Sequence, residues 1–262
     1  MTTDSGCAGG ERAFRLTIAY DGTHFFGWQR QPHHPTVQAA VEQALCKLLN
    51  QPEVRVLGSS RTDTGVHAVG QVAKFKTANW PAEAWRLPLA INCLLPDGVV
   101  VRRAEEVPMT FHPLRDCLGK HYRYLVYASR IEDPILARTH WWVRRPLSLS
   151  AMQQAATHLL GRHDFYSFQS TGSPRKTTVR TVRRLEIHQQ SHLDGHLVSI
   201  DIEADGFLYN MVRNIVGTLV QVGVGRATPD WVAGVLAARD RTVAGAAAPP
   251  QGLCLMQVFY PQ

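Results

Sequence analysis

From Phe14 the chain reads F-R-L-T-I-A-Y, with apolar and polar residues in alternation, the period-two pattern of a strand buried on one face. Asp21-Gly22 closes that run with a turn signal. Thr36 then stands as an N-cap before V-Q-A-A-V-E-Q-A-L-C-K-L-L, where Val37, Ala40, Val41, Ala44, Leu45 and Leu48 recur at helical spacing, so an amphipathic helix is expected. The stretches V-R-V-L-G from Val54, Q-V-A-K-F-K from Gln71 and V-V-V-R-R-A from Val99 read as further strands, and Ala84 to Leu94 as a short helix. Together they make one βα-type half ending near Pro113.

A second half opens on K-H-Y-R-Y-L-V-Y-A, a strand with Tyr122, Tyr124 and Val126 on one face and Arg123, Leu125 and Tyr127 on the other. That aromatic and basic alternation suits a sheet facing RNA. A helix from Ser150 to Leu160, strands T-V-R-R-L-E-I and L-V-S-I-D-I-E-A, a long helix from Phe207 to Val222, a helix from Pro229 to Ala238 and a last strand L-C-L-M-Q-V-F-Y follow. Strands and helices mix without the regular rhythm of a parallel doubly wound sheet, so the fold class predicted is α+β with a largely antiparallel sheet. The expected division is a leader over residues 1–12, which are small and polar, one half over 13–113 and another over 114–262.

At 262 residues, 45% of them hydrophobic and 19% charged, the chain can bury a core and is unlike a disordered chain. Lys and Arg outnumber Asp and Glu by 28 to 21, for a net charge of +7. Most of the excess is arginine, which forks and stacks as lysine does not, so a polyanionic partner is the natural expectation. Five widely spaced cysteines with no C-x-x-C pair suggest neither a disulfide framework nor a zinc site. The first thirty residues lack the apolar core of a signal peptide and no run approaches a membrane span, which reads as a cytoplasmic protein.

The segment L-G-S-S-R-T-D-T-G-V-H, Leu57 to His67, is short, polar, glycine-bounded and carries a single acid, Asp63. It follows a strand and is expected on a loop at the sheet rim. Arg61, two residues earlier, favours the ionised carboxylate that a nucleophile needs. Taken alone the segment more often reads as a turn in which Asp63 bonds its own backbone. On the long helix Leu208, Met211, Val212, Ile215, Val216 and Leu219 form an apolar stripe, and Asn210, Arg213, Asn214 and Gln221 a polar one. Arg213 therefore leaves the core and can reach a carboxylate or a phosphate, or simply meet solvent. Tyr122 can stack on a base or pack in the core.

Other chemistries lack their signatures. No G-x-x-x-x-G-K-[ST] loop is present, G-V-G-R-A at Gly223 follows a helix instead of a strand, and the twelve histidines form no ligand array. No metal and no cofactor are expected. Asp63-Thr64-Gly65 is the triplet of aspartic proteases, but no second D-T-G or D-S-G supplies the paired carboxylate, and an adjacent guanidinium opposes a shared proton.

The motifs, taken in order, resemble the TruA family of tRNA pseudouridine synthases. The resemblance runs from Y-D-G-T-H-F-F-G-W-Q-R-Q-P at Tyr20 through S-S-R-T-D-T-G-V-H-A-V-G-Q-V-A-K-F, F-H-P, K-H-Y-R-Y and F-L-Y-N-M-V-R-N-I-V-G-T-L to A-P-P-Q-G-L-C-L at Ala248. It implies isomerisation of uridine to pseudouridine at positions 38 to 40 of the tRNA anticodon stem-loop, without cofactor or metal. It also implies Asp63 as nucleophile, Arg61 and Arg213 as active-site arginines, and Tyr122 as the stacking tyrosine. A homodimer is implied too, with two similar α+β halves around a central cleft. The residues agree with that chemistry, because a base that must be detached, turned and rejoined needs a carboxylate, a stacking surface and phosphate-gripping arginines. The rival from another class is a non-catalytic RNA-binding module, which charge and aromatic strands alone would support. Such a binder has no need of a carboxylate beside the RNA backbone.

Overall fold

A computed structural model describes residues 10–170, 172 and 177–261, so residues 1–9 of the expected leader lie outside the described residues. The chain divides into two compact units, Met1–Cys117 with Pro261–Gln262, and Leu118–Tyr260.

In the first unit β1 (Arg12–Tyr20) is central, with β4 (Val99–Val107) on one side and β3 (His67–Thr77) on the other, all antiparallel. The strand starts two residues before Phe14, because Arg12 pairs with Thr77. Phe14, Leu16 and Ile18 are fully buried, and Phe14 stacks on Phe75 with ring centroids 5.3 Å apart. Helix α1 (Val37–Leu49) begins where Thr36 accepts a hydrogen bond from the Ala39 N–H, and it ends at Asn50 in the left-handed region. It buries Val37, Val41, Ala44, Leu45 and Leu49. Of V-R-V-L-G only β2 (Leu57–Gly58) pairs as a strand, against Lys74 and Ala73 of β3. The backbone at Val56 is claimed instead by α1 side chains, its N–H donating to Glu42 Oε1 and its carbonyl accepting from Gln38 Nε2. The expected helix from Ala84 is a 3₁₀ turn, Ala84–Arg86, followed by the five-residue α2 (Leu87–Ile91).

In the second unit the sheet order is β10 (Leu253–Phe259), β5 (Gly119–Ala128), β9 (Gly195–Ala204), β8 (Val179–His192), β7 (Gly161–Asp164), antiparallel throughout. The short β6 (Trp141–Val143) runs parallel beside the end of β5. Tyr122 opposes Ile202 and Leu255, Tyr124 opposes Ile200 and Leu253, and Ile187 opposes Ile200, so this face is core. Helices α3 (Leu149–Thr157), α4 (Met211–Gly223) and α5 (Trp231–Ala238) belong to the same unit, with α3 packed against α4, α5 and β8. Among the described residues no helix is long and apolar enough to cross a membrane.

Both units are α+β with largely antiparallel sheets, as the patterning predicts. Helix α4 departs from it twice. It begins at Met211 instead of Phe207, because Asn210 sits at φ 59°, outside the helical region. It is also buried nearly all round. Asn214, assigned above to a polar stripe, is fully buried; its amide donates to the Phe168 carbonyl at 2.8 Å and accepts from Arg241 at 2.8 Å. A polar stripe marks solvent only when no buried partner waits, and here partners wait.

Candidate active site

Residues 59–66 join β2 to β3 and carry Asp63. The segment is short of strand pairing, yet its backbone is tied at Ser59, Ser60, Thr62, Asp63 and Gly65. The Ser59 N–H donates to the Val72 carbonyl at 2.8 Å, and fully buried Gln71 accepts from the Ser59 hydroxyl and donates to the Ser60 carbonyl at 2.7 Å. The Thr62 carbonyl accepts from the Trp28 N–H at 3.0 Å, and the Thr62 hydroxyl meets the Tyr20 hydroxyl at 2.7 Å. The Asp63 carbonyl accepts from the Val66 N–H at 3.1 Å, closing a turn whose third residue, Gly65, sits at φ 78°. Asp63 does therefore occupy a turn. Thr62 and Val66 are buried on either side, Asp63 is half-buried, and Arg61 and Thr64 are exposed.

The segment from Tyr20 to Trp28 is the clamp. Asp21 caps a 3₁₀ turn, Gly22–His24, and the Gly22 N–H donates to His67 Nδ1 at 3.0 Å. A Cβ on Gly22 would strike the Val66 carbonyl, one on Gly27 the Thr62 carbonyl, and one on Gly58 the Trp28 ring. Gly27 also sits at φ 81°. Three glycines thus let two backbones and an indole approach closely around one carboxylate. The sequence reading of the Asp63 loop missed this clamp, although G-W at Gly27 and D-G at Asp21 are its visible signal.

In the second unit, Tyr122 is only 6% exposed and lies on the core face of β5, edge-on to Phe207 at 5.1 Å between ring centroids. The tyrosines of H-Y-R-Y thus face the core, not a solvent-exposed sheet. The opposite face carries a buried ion cluster, in which Asp201 accepts from His121 Nε2 at 2.6 Å and Arg123 Nε at 2.9 Å. Burial pushes the Asp201 carboxyl up, but the bonds from His121 and Arg123 outweigh it and hold the group below the usual carboxylate range.

Arg213 is half-buried on the first turn of α4, not turned out to water. Its Nε donates to the Ala248 carbonyl at 2.7 Å and its Nη1 to Asn210 Oδ1 at 2.9 Å. The Ala248 N–H returns a bond to the Arg213 carbonyl at 3.0 Å. Next along the chain, the Pro249 carbonyl accepts from the Tyr124 hydroxyl at 2.7 Å, and a Cβ on Gly252 would strike the Tyr124 ring. Burial drives the Tyr124 phenol far above its ordinary pKa, against a smaller opposing pull from the Arg213 charge, so it stays a neutral donor. The A-P-P-Q-G-L segment is therefore the holder of Arg213. Among the described residues no group of three or more His, Cys, Asp or Glu is placed to hold a metal ion.

The profile of a family described as tRNA pseudouridine synthase matches residues 16–114 and 155–261. The chain belongs to the tRNA pseudouridine synthase family. Arg61 and Asp63 fall in the first matched segment of the synthase profile and Arg213 in the second, while Tyr122 lies between the two. Among curated relatives, tRNA pseudouridine synthase A of Geotalea daltonii is 45% identical over 250 residues, covering 95% of this chain and 100% of that one. The synthase A of Ruminiclostridium cellulolyticum is 45% identical over 250 residues, and that of Geotalea uraniireducens 43% over 254, with the same coverage. The clamp, the Asp63 turn and the Arg213 holder all lie inside the matched segments of the synthase profile.

Proposed function

We propose that this protein isomerises uridine to pseudouridine in tRNA, at positions 38, 39 and 40 of the anticodon stem-loop, with Asp63 as the nucleophile. The observation that carries the reading is a half-buried carboxylate on a backbone-tied turn, within a chain that aligns with synthases of that name over nearly its whole length. The reaction breaks the N1–C1′ bond, turns the uracil and joins C5 to C1′; the C5 proton is released and N1 gains one. A carboxylate serves it by capturing C1′, by taking a proton from C2′ or by adding to C6. All three demand a fixed acid with one open side, and a turn held by bonds on both flanks supports that.

Arg61 and Arg213 serve the same reaction as active-site arginines, and Tyr122 as the ring against the target base. Arg61, exposed beside the turn, suits a phosphate, whereas Arg213 is oriented by Ala248 and Asn210 before substrate arrives. No metal or cofactor is assigned a role. The protein acts in the cytoplasm as a homodimer.

The test is Asp63→Asn assayed on unmodified tRNA transcripts. Pseudouridine formation should fall below detection while the thermal melt stays near that of the wild type. Retained turnover would refute the nucleophile assignment, and a wild-type protein that binds tRNA in a salt-dependent way yet makes no pseudouridine would favour the binding module instead.

A further inference from the structure

Between Asp21 and Glu42 the chain contains no acidic residue, while it carries His24, Arg30, His33 and His34. Residues 29–35 are all exposed. Such a stretch would ordinarily be a loose surface loop, but this one is tied at several points. The Phe26 N–H donates to the Pro35 carbonyl at 2.8 Å, Gln31 Nε2 to the Phe26 carbonyl at 2.9 Å, and the Arg30 N–H to Gln38 Oε1 at 3.0 Å. Gln31 and His34 form a β-bridge, and His33 takes the left-handed conformation at φ 64° to make the bend.

The ties hold up an aromatic pair. Phe26 stacks on His34 with centroids 4.3 Å apart and planes 22° from parallel, yet Phe26 remains 42% exposed. A lone exposed phenylalanine needs no explanation. A phenylalanine stacked in water on an imidazole and braced by three hydrogen bonds offers a π-surface, and Arg30, exposed and only loosely held by Glu42 at 3.4 Å, offers positive charge in the same segment. Its place is fixed as well. The residues on either side of Phe26 both touch the Asp63 turn, since the Phe25 carbonyl accepts from the Gly65 N–H at 3.4 Å and Gly27 packs on the Thr62 carbonyl. Phe26 therefore stands on the rim of that turn.

We propose that the Phe26–His34 stack is a docking platform for an unpaired base of the RNA substrate, with Arg30 taking an adjacent phosphate. The inference rests on the proposed tRNA reaction and adds to it a subsite outside Asp63, Arg61, Arg213 and Tyr122. Stacking tolerates any base, so the platform contributes affinity without reading sequence.

The test measures tRNA affinity and multiple-turnover kinetics of wild type, Phe26→Ala, Phe26→Tyr and Arg30→Ala at several salt concentrations. Phe26→Ala should weaken binding roughly 5- to 100-fold, with KM rising in step and kcat little changed. The slope of log K against log salt should stay the same for Phe26→Ala and fall by about one for Arg30→Ala. Phe26→Tyr keeps the ring and should bind within about two-fold of the wild type. A fold defect would show instead as a lowered melting temperature and a fall in kcat. An active wild type with Phe26→Ala binding equally well, or with Phe26→Tyr as weak as Phe26→Ala, overturns the platform alone. A wild type that neither binds nor modifies tRNA overturns the platform and the proposed function together.

Discussion

At the scale of single residues, the acid proposed as nucleophile and the glycines that hold its turn are read with unequal ease. Asp63 stands out because it is the one carboxylate in a polar, glycine-bounded segment. Gly27 does not, because its importance lies in what a Cβ would strike, a fact of three dimensions. Gly27→Ala should destabilise the protein by about 2–3 kcal/mol, roughly 1 from the left-handed backbone and the remainder from the clash, as read from urea denaturation. Activity should fall further than stability, since the carbonyl struck belongs to Thr62, next to Asp63. Asp201 offers a second residue-scale test. Its folded pKa lies below the unfolded value of about 3.9, so its contribution to stability is full above that value and is lost as pH falls through the folded pKa. The stability gap between wild type and Asp201→Asn should accordingly be widest near neutrality and shrink below about pH 4, as measured by denaturation across pH.

At the scale of elements, strands were more legible than helices. The alternation in F-R-L-T-I-A-Y and K-H-Y-R-Y-L-V-Y-A locates β1 and β5 within about two residues, because period two leaves one registration that buries Phe14, Leu16 and Ile18 or Tyr122 and Tyr124. What alternation does not reveal is which face meets water, and so the tyrosines of β5 face the core while Arg123 pairs with a buried acid. Helix α4 shows the complementary limit. Asn210, Arg213 and Asn214 look like a solvated stripe, yet each bonds to a loop or side chain packed beside the helix. Asn214→Ala should therefore cost about 1–3 kcal/mol, since it strips the Phe168 carbonyl and the Arg241 guanidinium of a partner in the interior. An exposed polar residue would cost next to nothing. The measurement is chemical denaturation, with Gln221→Ala as a control of small effect.

At the scale of the whole molecule, net charge acts as one quantity. A chain of +7 that grips about six phosphates should lose roughly a thousandfold in tRNA affinity between 50 and 200 mM salt. A flat salt response would argue against a charged RNA footprint. Sedimentation equilibrium tests the homodimer, which should show twice the 29.2 kDa chain mass. The charge is read from composition, whereas the dimer is an expectation that rests on resemblance alone. The clamp about the Asp63 turn has a consequence for how such a chain varies over generations. Gly22, Gly27 and Gly58 interlock with Val66, Thr62 and Trp28, so substitutions in the stretches around Tyr20 and Ser59 are sterically coupled despite thirty-odd intervening residues. Change in one must wait on change in the other. The exposed residues from Gln29 to Pro35 strike no carbonyl of the Asp63 turn, so their own ties can be altered while that carboxylate stays where it is.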